Sequence, residues 1–314
     1  MADPRGEFAY IDWIRSQLGR DDDRVSIGPG DDMAEVRVPG PAGTSAARVL
    51  VGTDTVLDGV HFRTPGDALD DVGWKAVAVN LSDVAAMAAE PLAAVGTVAL
   101  PKTFSMADAR ALFEGMKRCA DAFRCSWVGG DVTAWDQPLA ITVTVLAAAA
   151  EPVRRSGARP GQLVCATGAL GGSLLGRHLT FTPRVAEARQ LAAAVRLGAM
   201  IDLSDGLSSD VGHLCDESGV GVVIEAWRVP VSDAARQAAD ADGRSALDHA
   251  LNDGEDFELL FTVDEADAEH LARLELGVAV SVIGRTTEPE HGRTLVNGRG
   301  EMIPLEPEGF EHWR

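Results

Sequence analysis

The chain has only four cysteines in 314 residues, and Cys119, Cys125, Cys165 and Cys215 form neither a CxxC pair nor a zinc-ligand spacing, so a disulfide framework and a cysteine zinc site are excluded. They read as buried free thiols. Aromatics are also scarce, with one Tyr, six Trp and nine Phe, which leaves the core to small and β-branched side chains. No apolar run reaches the length of a membrane span before Asp, Glu, Lys or Gly interrupts it, so a membrane partner is not expected. Residues 1–15 lack the basic start and apolar centre of a signal peptide, and the expected location is cytoplasmic. Basic residues are outnumbered, 28 against 48 acidic ones, and a net charge of −20 argues against nucleic acid as a partner. An acidic protein holds a polyanion only through bound cations or a locally basic pocket. Clustered carboxylates that bind divalent metal meet that requirement.

Such clusters are what the sequence does contain. Residues 200–210, Met-Ile-Asp-Leu-Ser-Asp-Gly-Leu-Ser-Ser-Asp, read as a strand that ends in a tight turn opening a helix, a place suited to phosphate or metal. Asp205 in that turn is either a helix N-cap or a ligand. Asp31 and Asp32 follow a glycine turn; Thr53 and Asp54 stand at the expected end of a strand over residues 46–52; Asp131 follows Gly129 and Gly130 at a third expected strand end. Asp83 lies in a helix expected over residues 67–89 among Ala, Val, Leu and Met, where an unpaired carboxylate is costly; either a cation or hydrogen bonds from Asn80 and Ser82 compensate it. His61 reads as a structural histidine or a site residue.

A chain of this length with 46% hydrophobic residues suits two domains, and the Pro, Gly and Arg of residues 151–161 read as the link, dividing residues 1–150 from 151–314. Arg154, Arg155 and Arg159 in that link form a solvated basic loop or reach phosphate oxygens. Both halves repeat apolar strand, Gly/Asp turn and helix, an α/β (α+β) grammar. Helices are expected over residues 6–18, 184–197, 246–251 and 264–274, and Ser105 with Asp108 resembles a capping box opening a helix that carries Phe113. The glycine turn at residues 168–173 leads into a helix but lacks the Lys-Ser/Thr of a P-loop, and no calcium loop of EF-hand type occurs.

Taken in order, Gly30-Asp31-Asp32, Thr53-Asp54, Gly59-Val60-His61-Phe62, Trp74-Lys75 through Asn80-Leu81-Ser82-Asp83, Gly129-Gly130-Asp131, Arg155-Ser156-Gly157, Ile201-Asp202-Leu203-Ser204-Asp205-Gly206 and Gly254-Glu255-Asp256-Phe257-Glu258 resemble the thiamine-monophosphate kinase family. Its superfamily also holds aminoimidazole ribonucleotide synthetase, selenophosphate synthetase and a hydrogenase maturation protein. The resemblance implies an N-terminal α/β domain whose sheet pairs across a homodimer, a C-terminal α/β domain, and in-line transfer of a phosphoryl group from ATP to thiamine monophosphate with Mg2+. It implies metal ligands at Asp32, Thr53, Asp54, Asp83, Asp131, Asp202 and Asp205, and nucleotide contacts at Phe113, Gly130, Asp131, Arg155 and Ser204. It further implies acceptor contacts at His61, Glu255 and Phe310, and catalytic roles for Asp54, Asp83, Asp131, Asp205 and Arg155. Gly52, Asp253 and a shortened segment around Thr180 depart from the family pattern. The alternatives are another ATP-dependent synthetase of the superfamily, or a nucleotide or thiamine-phosphate sensor without turnover.

Overall fold

A computed structural model describes residues 7–17, 24–38 and 47–312. Leu18 and Ala46, at the margins of two expected elements, lie outside them. Among the described residues the strands form two mixed sheets, with side chains alternating in burial along β6 and buried throughout β7 and β10. In the first, β1 (Val25–Ile27), β2 (Ala34–Val38), β3 (Ala47–Leu57), β4 (Glu90–Pro101), β5 (Ser126–Trp135) and β6 (Ala140–Ala148) take the order β1-β2-β3-β6-β4-β5, parallel only between β4 and β5. In the second, β7 (Leu163–Thr167), β8 (Leu197–Asp202), β9 (Gly221–Glu225), β10 (Leu259–Val263), β11 (Val280–Thr287), β12 (Arg293–Val296) and β13 (Met302–Pro304) take the order β13-β12-β9-β11-β7-β10-β8. The helices are α1 (Glu7–Gln17), α2 (Leu69–Ala86), α3 (Met106–Ala122), α4 (Arg177–Thr180), α5 (Val185–Ala194), α6 (Leu207–Ser218), α7 (Asp233–Asp242), α8 (Ala246–Asn252) and α9 (Ala268–Leu271).

Helix α2 organises the fold. Its Ala- and Val-rich sequence is apolar on nearly every side, and it is buried on nearly every side. One core cluster joins Val72, Leu81 and Val84 of α2 and Ile141 and Val143 of β6 to Leu191 of α5, Met200 of β8 and Phe261 of β10, so α2 is packed between the two sheets. Against α3 it comes close enough to need glycine: a Cβ on Gly73 would lie 2.0 Å from the Leu112 carbonyl oxygen, and one on Gly115 would lie 1.8 Å from that of Asp70. The Trp74 indole donates to the Phe181 carbonyl at 2.8 Å, a second tie to the C-terminal half. Ser105 and Asp108 do form a reciprocal capping box at the start of α3. All four cysteines are free and buried.

Several expected elements change. Thr53-Asp54 and Gly129-Gly130-Asp131 lie within β3 and β5, not at strand ends, because cross-strand pairing continues through them, from Thr53 opposite Thr144 to Leu57 opposite Ala140. The helix expected after residues 168–173 is a single 3-10 turn followed by the four-residue α4, since Gly168, Gly171, Gly172 and Gly176 all take positive φ. The helix expected over residues 264–274 contracts to a 3-10 turn and α9. Asp264 holds that segment's start extended, its carboxylate bound by Arg159 at 2.9 Å and Gln162 at 2.8 Å. Helix α7 is not among the expected elements: its apolar face consists of the small side chains Ala234, Ala235, Ala238 and Ala239, of which only Ala235 is buried.

Candidate active site

Strand β8 ends at Asp202, and the chain then turns through Leu203, Ser204 and Asp205 into α6. The N-cap is Gly206 at φ 108, without a side-chain cap, so Asp205 does not fill that role. Asp210, one turn into the helix, reaches back instead: its carboxylate accepts the N–H groups of Gly206 at 3.0 Å and Asp205 at 3.2 Å. The N–H groups that lead into the helix are thereby satisfied from within, and the Asp205 carboxylate, free of a capping role, lies in a group with Asp210 and His213 whose ligand atoms are within 4.8 Å of one another. Burial, then Asp205 and Asp202, holds the Asp210 carboxyl well above its ordinary range.

The turn meets the last turns of α2. The Ser82 hydroxyl donates to the Asp202 carboxylate at 2.5 Å, and the Asn80 side chain accepts the Asp54 backbone N–H at 3.1 Å. Carboxylate oxygens of Asp32, Asp83 and Asp202 converge within 4.8 Å of one another. Asp54 lies beside them, and burial holds its carboxyl above the ordinary range. Burial pushes the Asp83 carboxyl well above its ordinary range, and the charges of Asp54, Asp202 and Asp32 push it further. For the same reasons, burial first and then Asp32, Asp202 is pushed up to about 7, while burial and Glu7 bring Asp205 to about 6. Like charges at this spacing do not all ionise in a buried site without a compensating cation. One oxygen of Asp32 supports that requirement, since it is buried and has no hydrogen-bond partner. Hard oxygen donors in this arrangement suit Mg2+.

Arg155 provides one protein cation at the cluster. Its Nη2 lies 2.7 Å from Asp32 and its Nε 3.2 Å from the same oxygen. Burial opposes its charge, but Asp32, Asp202 and Asp83 outweigh burial and raise its pKa. The Arg155 backbone N–H donates to Asp31 at 2.6 Å. The paired aspartates therefore divide their labour: Asp31 fixes the link and Asp32 enters the cluster.

A second group borders the turn. Lys75, fully buried on α2, donates to both oxygens of Glu255 at 2.7 and 2.8 Å and to the His61 carbonyl at 2.7 Å. The Glu255 backbone N–H donates to the Ser204 carbonyl at 2.6 Å, and that of Phe310 to the Asp205 carbonyl at 3.0 Å. His61 accepts the Leu57 N–H on Nδ1 at 3.0 Å, which places the ring proton on Nε2. His312 lies between the His61 ring, 5.0 Å away, and the Phe310 ring, 4.7 Å away. Burial, Lys75 and His312 lower the His61 pKa to about 4, so the ring is neutral at physiological pH.

Thr53, Gly130, Asp131 and Phe113 lie apart from the cluster. Strand alternation turns the Thr53 side chain to the face opposite Asp54, where its hydroxyl meets the Val143 carbonyl and the Thr144 hydroxyl. Asp131 is exposed on the edge strand β5, opposite Thr97. Gly130 stands in the cross-strand row of Asp54, Val143 and Gly96, three strand spacings or about 14 Å from Asp54. Phe113, Trp127, Gly130 and Asp131 line an apolar cleft of about 460 Å³ between α3 and the sheet edge. Phe113 meets Trp127 edge to face at 5.9 Å.

Lys75, Asp210 and Glu258 also shape the site, although no individual role follows from their place in the sequence. Lys75 carries the signal that singled out Asp83, a charge inside an apolar helix. Glu258 accepts from Arg184 at 2.6 and 2.7 Å, Thr167 at 2.7 Å and Arg177 at 3.2 Å, and so ties the glycine-rich segment to the turn.

The fold and the carboxylate cluster define a two-domain α/β protein of a known class: residues 30–149 match the N-terminal domain of AIR synthase related proteins and residues 141–297 their C-terminal domain. Thiamine-monophosphate kinase from Rhodopirellula baltica is 39% identical over 311 residues, covering 98% of this chain and 97% of the relative. The Escherichia coli enzyme of the same name is 32% identical, covering 98% of each. The solved structure of AaThiL complexed with AMPPCP and TMP superposes with a TM-score of 0.81 at 30% identity, covering 98% of this chain and 97% of that one. The chain belongs to the thiamine-monophosphate kinase family. A HypE-HypF complex, at 19% identity and a TM-score of 0.73, shares the fold.

Proposed function

We propose that the protein transfers the terminal phosphoryl group of ATP to thiamine monophosphate, giving thiamine diphosphate and ADP. The observation that carries this reading is the convergence of Asp32, Asp83 and Asp202 around an unpartnered carboxylate oxygen, beside Arg155. The relatives of the same name and the AaThiL complex with AMPPCP and TMP supply the substrate pair.

In the proposed reaction an oxygen of the acceptor phosphate attacks the γ-phosphorus in line, and the bond to the β–γ bridging oxygen breaks to release ADP. No side-chain nucleophile is needed; alignment and charge neutralisation supply the catalysis. Bound Mg2+ would neutralise charge on both anions. Asp32, Asp54, Asp83, Asp202 and Asp205 are the residues that would hold it, and Arg155 adds a fixed positive charge toward the phosphates. Ser204 borders them from the turn. The apolar cleft, with Phe113 and Gly130, takes the base, and Asp131 lies on its rim. The Thr53 hydroxyl is turned away from this set, toward Val143 and Thr144. His61 in its neutral form, Phe310 and the Lys75-paired Glu255 form the wall for the acceptor's organic part.

A homodimer is part of the same reading. Val128 and Val132, 62% and 70% exposed, lie on the edge strand β5, where backbone groups are open to pairing. Incubating the purified protein with Mg2+-ATP and thiamine monophosphate, and separating products by chromatography, tests the activity. Thiamine diphosphate and ADP in equal amounts are expected, and Asp205→Asn should abolish both. ADP alone, or no turnover, refutes the assignment.

A further inference from the structure

Lys75 is a cation that the phosphoryl chemistry does not use, yet it is fully buried in the helix that organises the fold. An ammonium has three N–H donors. All three are spent here, two on Glu255 and one on the His61 carbonyl, so the head group is held in one geometry. Its two partners come from different halves of the chain.

Glu255 is held under strain. It takes φ 53 beside Gly254 at φ 72, and Phe257 follows at φ 50. Left-handed backbone at non-glycine residues persists only where surrounding contacts enforce it. The contacts here are Lys75 on the side chain and the Ser204 carbonyl on the backbone. On α2, Ser82 follows Lys75 by seven residues, two helical turns further on the same face, and binds Asp202. One helix face therefore fixes Glu255 at one point and the carboxylate cluster at another.

We propose that Lys75 is a positioning residue that makes His61 and Glu255 a single wall at a set distance from the carboxylate cluster, and thereby determines where the acceptor lies. The inference rests on the reading of that wall as the acceptor site. Without the ammonium, the Glu255 charge is unbalanced and its strained backbone relaxes, so the acceptor loses its place, while the apolar cleft that takes the base contains neither residue.

The test compares Lys75→Met, Lys75→Arg, Glu255→Gln and the Lys75→Met/Glu255→Gln double variant with the wild type, measuring kcat and KM for each substrate together with the thermal midpoint. Lys75→Met should raise the KM for thiamine monophosphate by about tenfold or more and leave that for ATP within about twofold. The double variant should be no worse than the worse single one, because both remove the same interaction. If Lys75→Met does not fold, Lys75→Arg carries the test: its planar head keeps the charge but not the three-bond geometry, and the acceptor KM should still rise. Variants that fold with a lowered thermal midpoint and an unchanged acceptor KM, beside an active wild type, overturn the positioning role alone. A wild type that makes no thiamine diphosphate overturns this inference together with the functional reading.

Discussion

Replacing Asp202 by Asn should stabilise the metal-free protein at pH 8 while destroying its response to Mg2+. In the folded chain Asp202 is brought from its ordinary 3.8 to about 7, by burial first and then by Asp32. At about 1.4 kcal/mol per tenfold change in acidity, keeping it ionised costs an upper bound of about 4 kcal/mol. Because the charge is shared among coupled carboxylates, roughly 1–3 kcal/mol is the expected gain on removing it. The amide oxygen of Asn still accepts the Ser82 hydroxyl, so that bond subtracts little. The sign follows from proton binding. Between the unfolded pKa of 3.8 and the folded value of about 7 the folded state holds the extra proton, so its stability falls as pH rises through that window. The advantage of Asp202→Asn should therefore be greatest at pH 8 and shrink toward pH 5. Thermal unfolding in EDTA and in Mg2+, at both pH values, provides the assay, with roughly 2–4 °C expected per kcal/mol. Wild type should gain a Mg2+-dependent rise in midpoint that the variant lacks. An Asp202→Asn protein less stable than wild type in EDTA at pH 8, with an undiminished Mg2+ shift, would refute the cation-site reasoning.

Glu258→Ala should cost roughly 2–4 kcal/mol in urea unfolding, because it strands Arg184 and Arg177, which keep partial access to water; a loss below about 1 kcal/mol contradicts the structural role. Phe113→Ala removes a half-exposed ring from the apolar cleft and should raise the KM for ATP about tenfold at little cost in stability, since base stacking on an aromatic contributes about 1–3 kcal/mol. An unchanged ATP KM would remove the base from that cleft. Val128→Glu together with Val132→Glu should shift the protein from dimer to monomer in light scattering, since both charges enter the edge that would be paired; a persisting dimer places the contact elsewhere.

Much of the architecture is legible because it is local. The helix carrying Asp83, the capping box at Ser105 and most strands follow from side-chain periodicity and turn chemistry. Elements that bury little are not: α7 has a helix-forming sequence but buries only Ala235, and the segment after Asp264 contracts to a 3-10 turn and the short α9. The candidate site shows the same division. Asp32, Asp54, Asp83, Asp202 and Asp205 declare themselves by residue type, since a carboxylate beside glycine turns or inside an apolar helix requires a partner.

The sequence by itself determined the chemistry available to this protein: an acidic chain with clustered carboxylates, few cations, and two α/β halves. Only the tertiary structure decided which carboxylates meet. Pairing through residues 53–57 set Thr53 and Asp54 on opposite faces of β3, and burial of α2 between the sheets brought Ser82 to Asp202 and Lys75 to Glu255. Spacing along a chain fixes periodicity, whereas the distance between residues more than a hundred positions apart is set by packing, which no local pattern records.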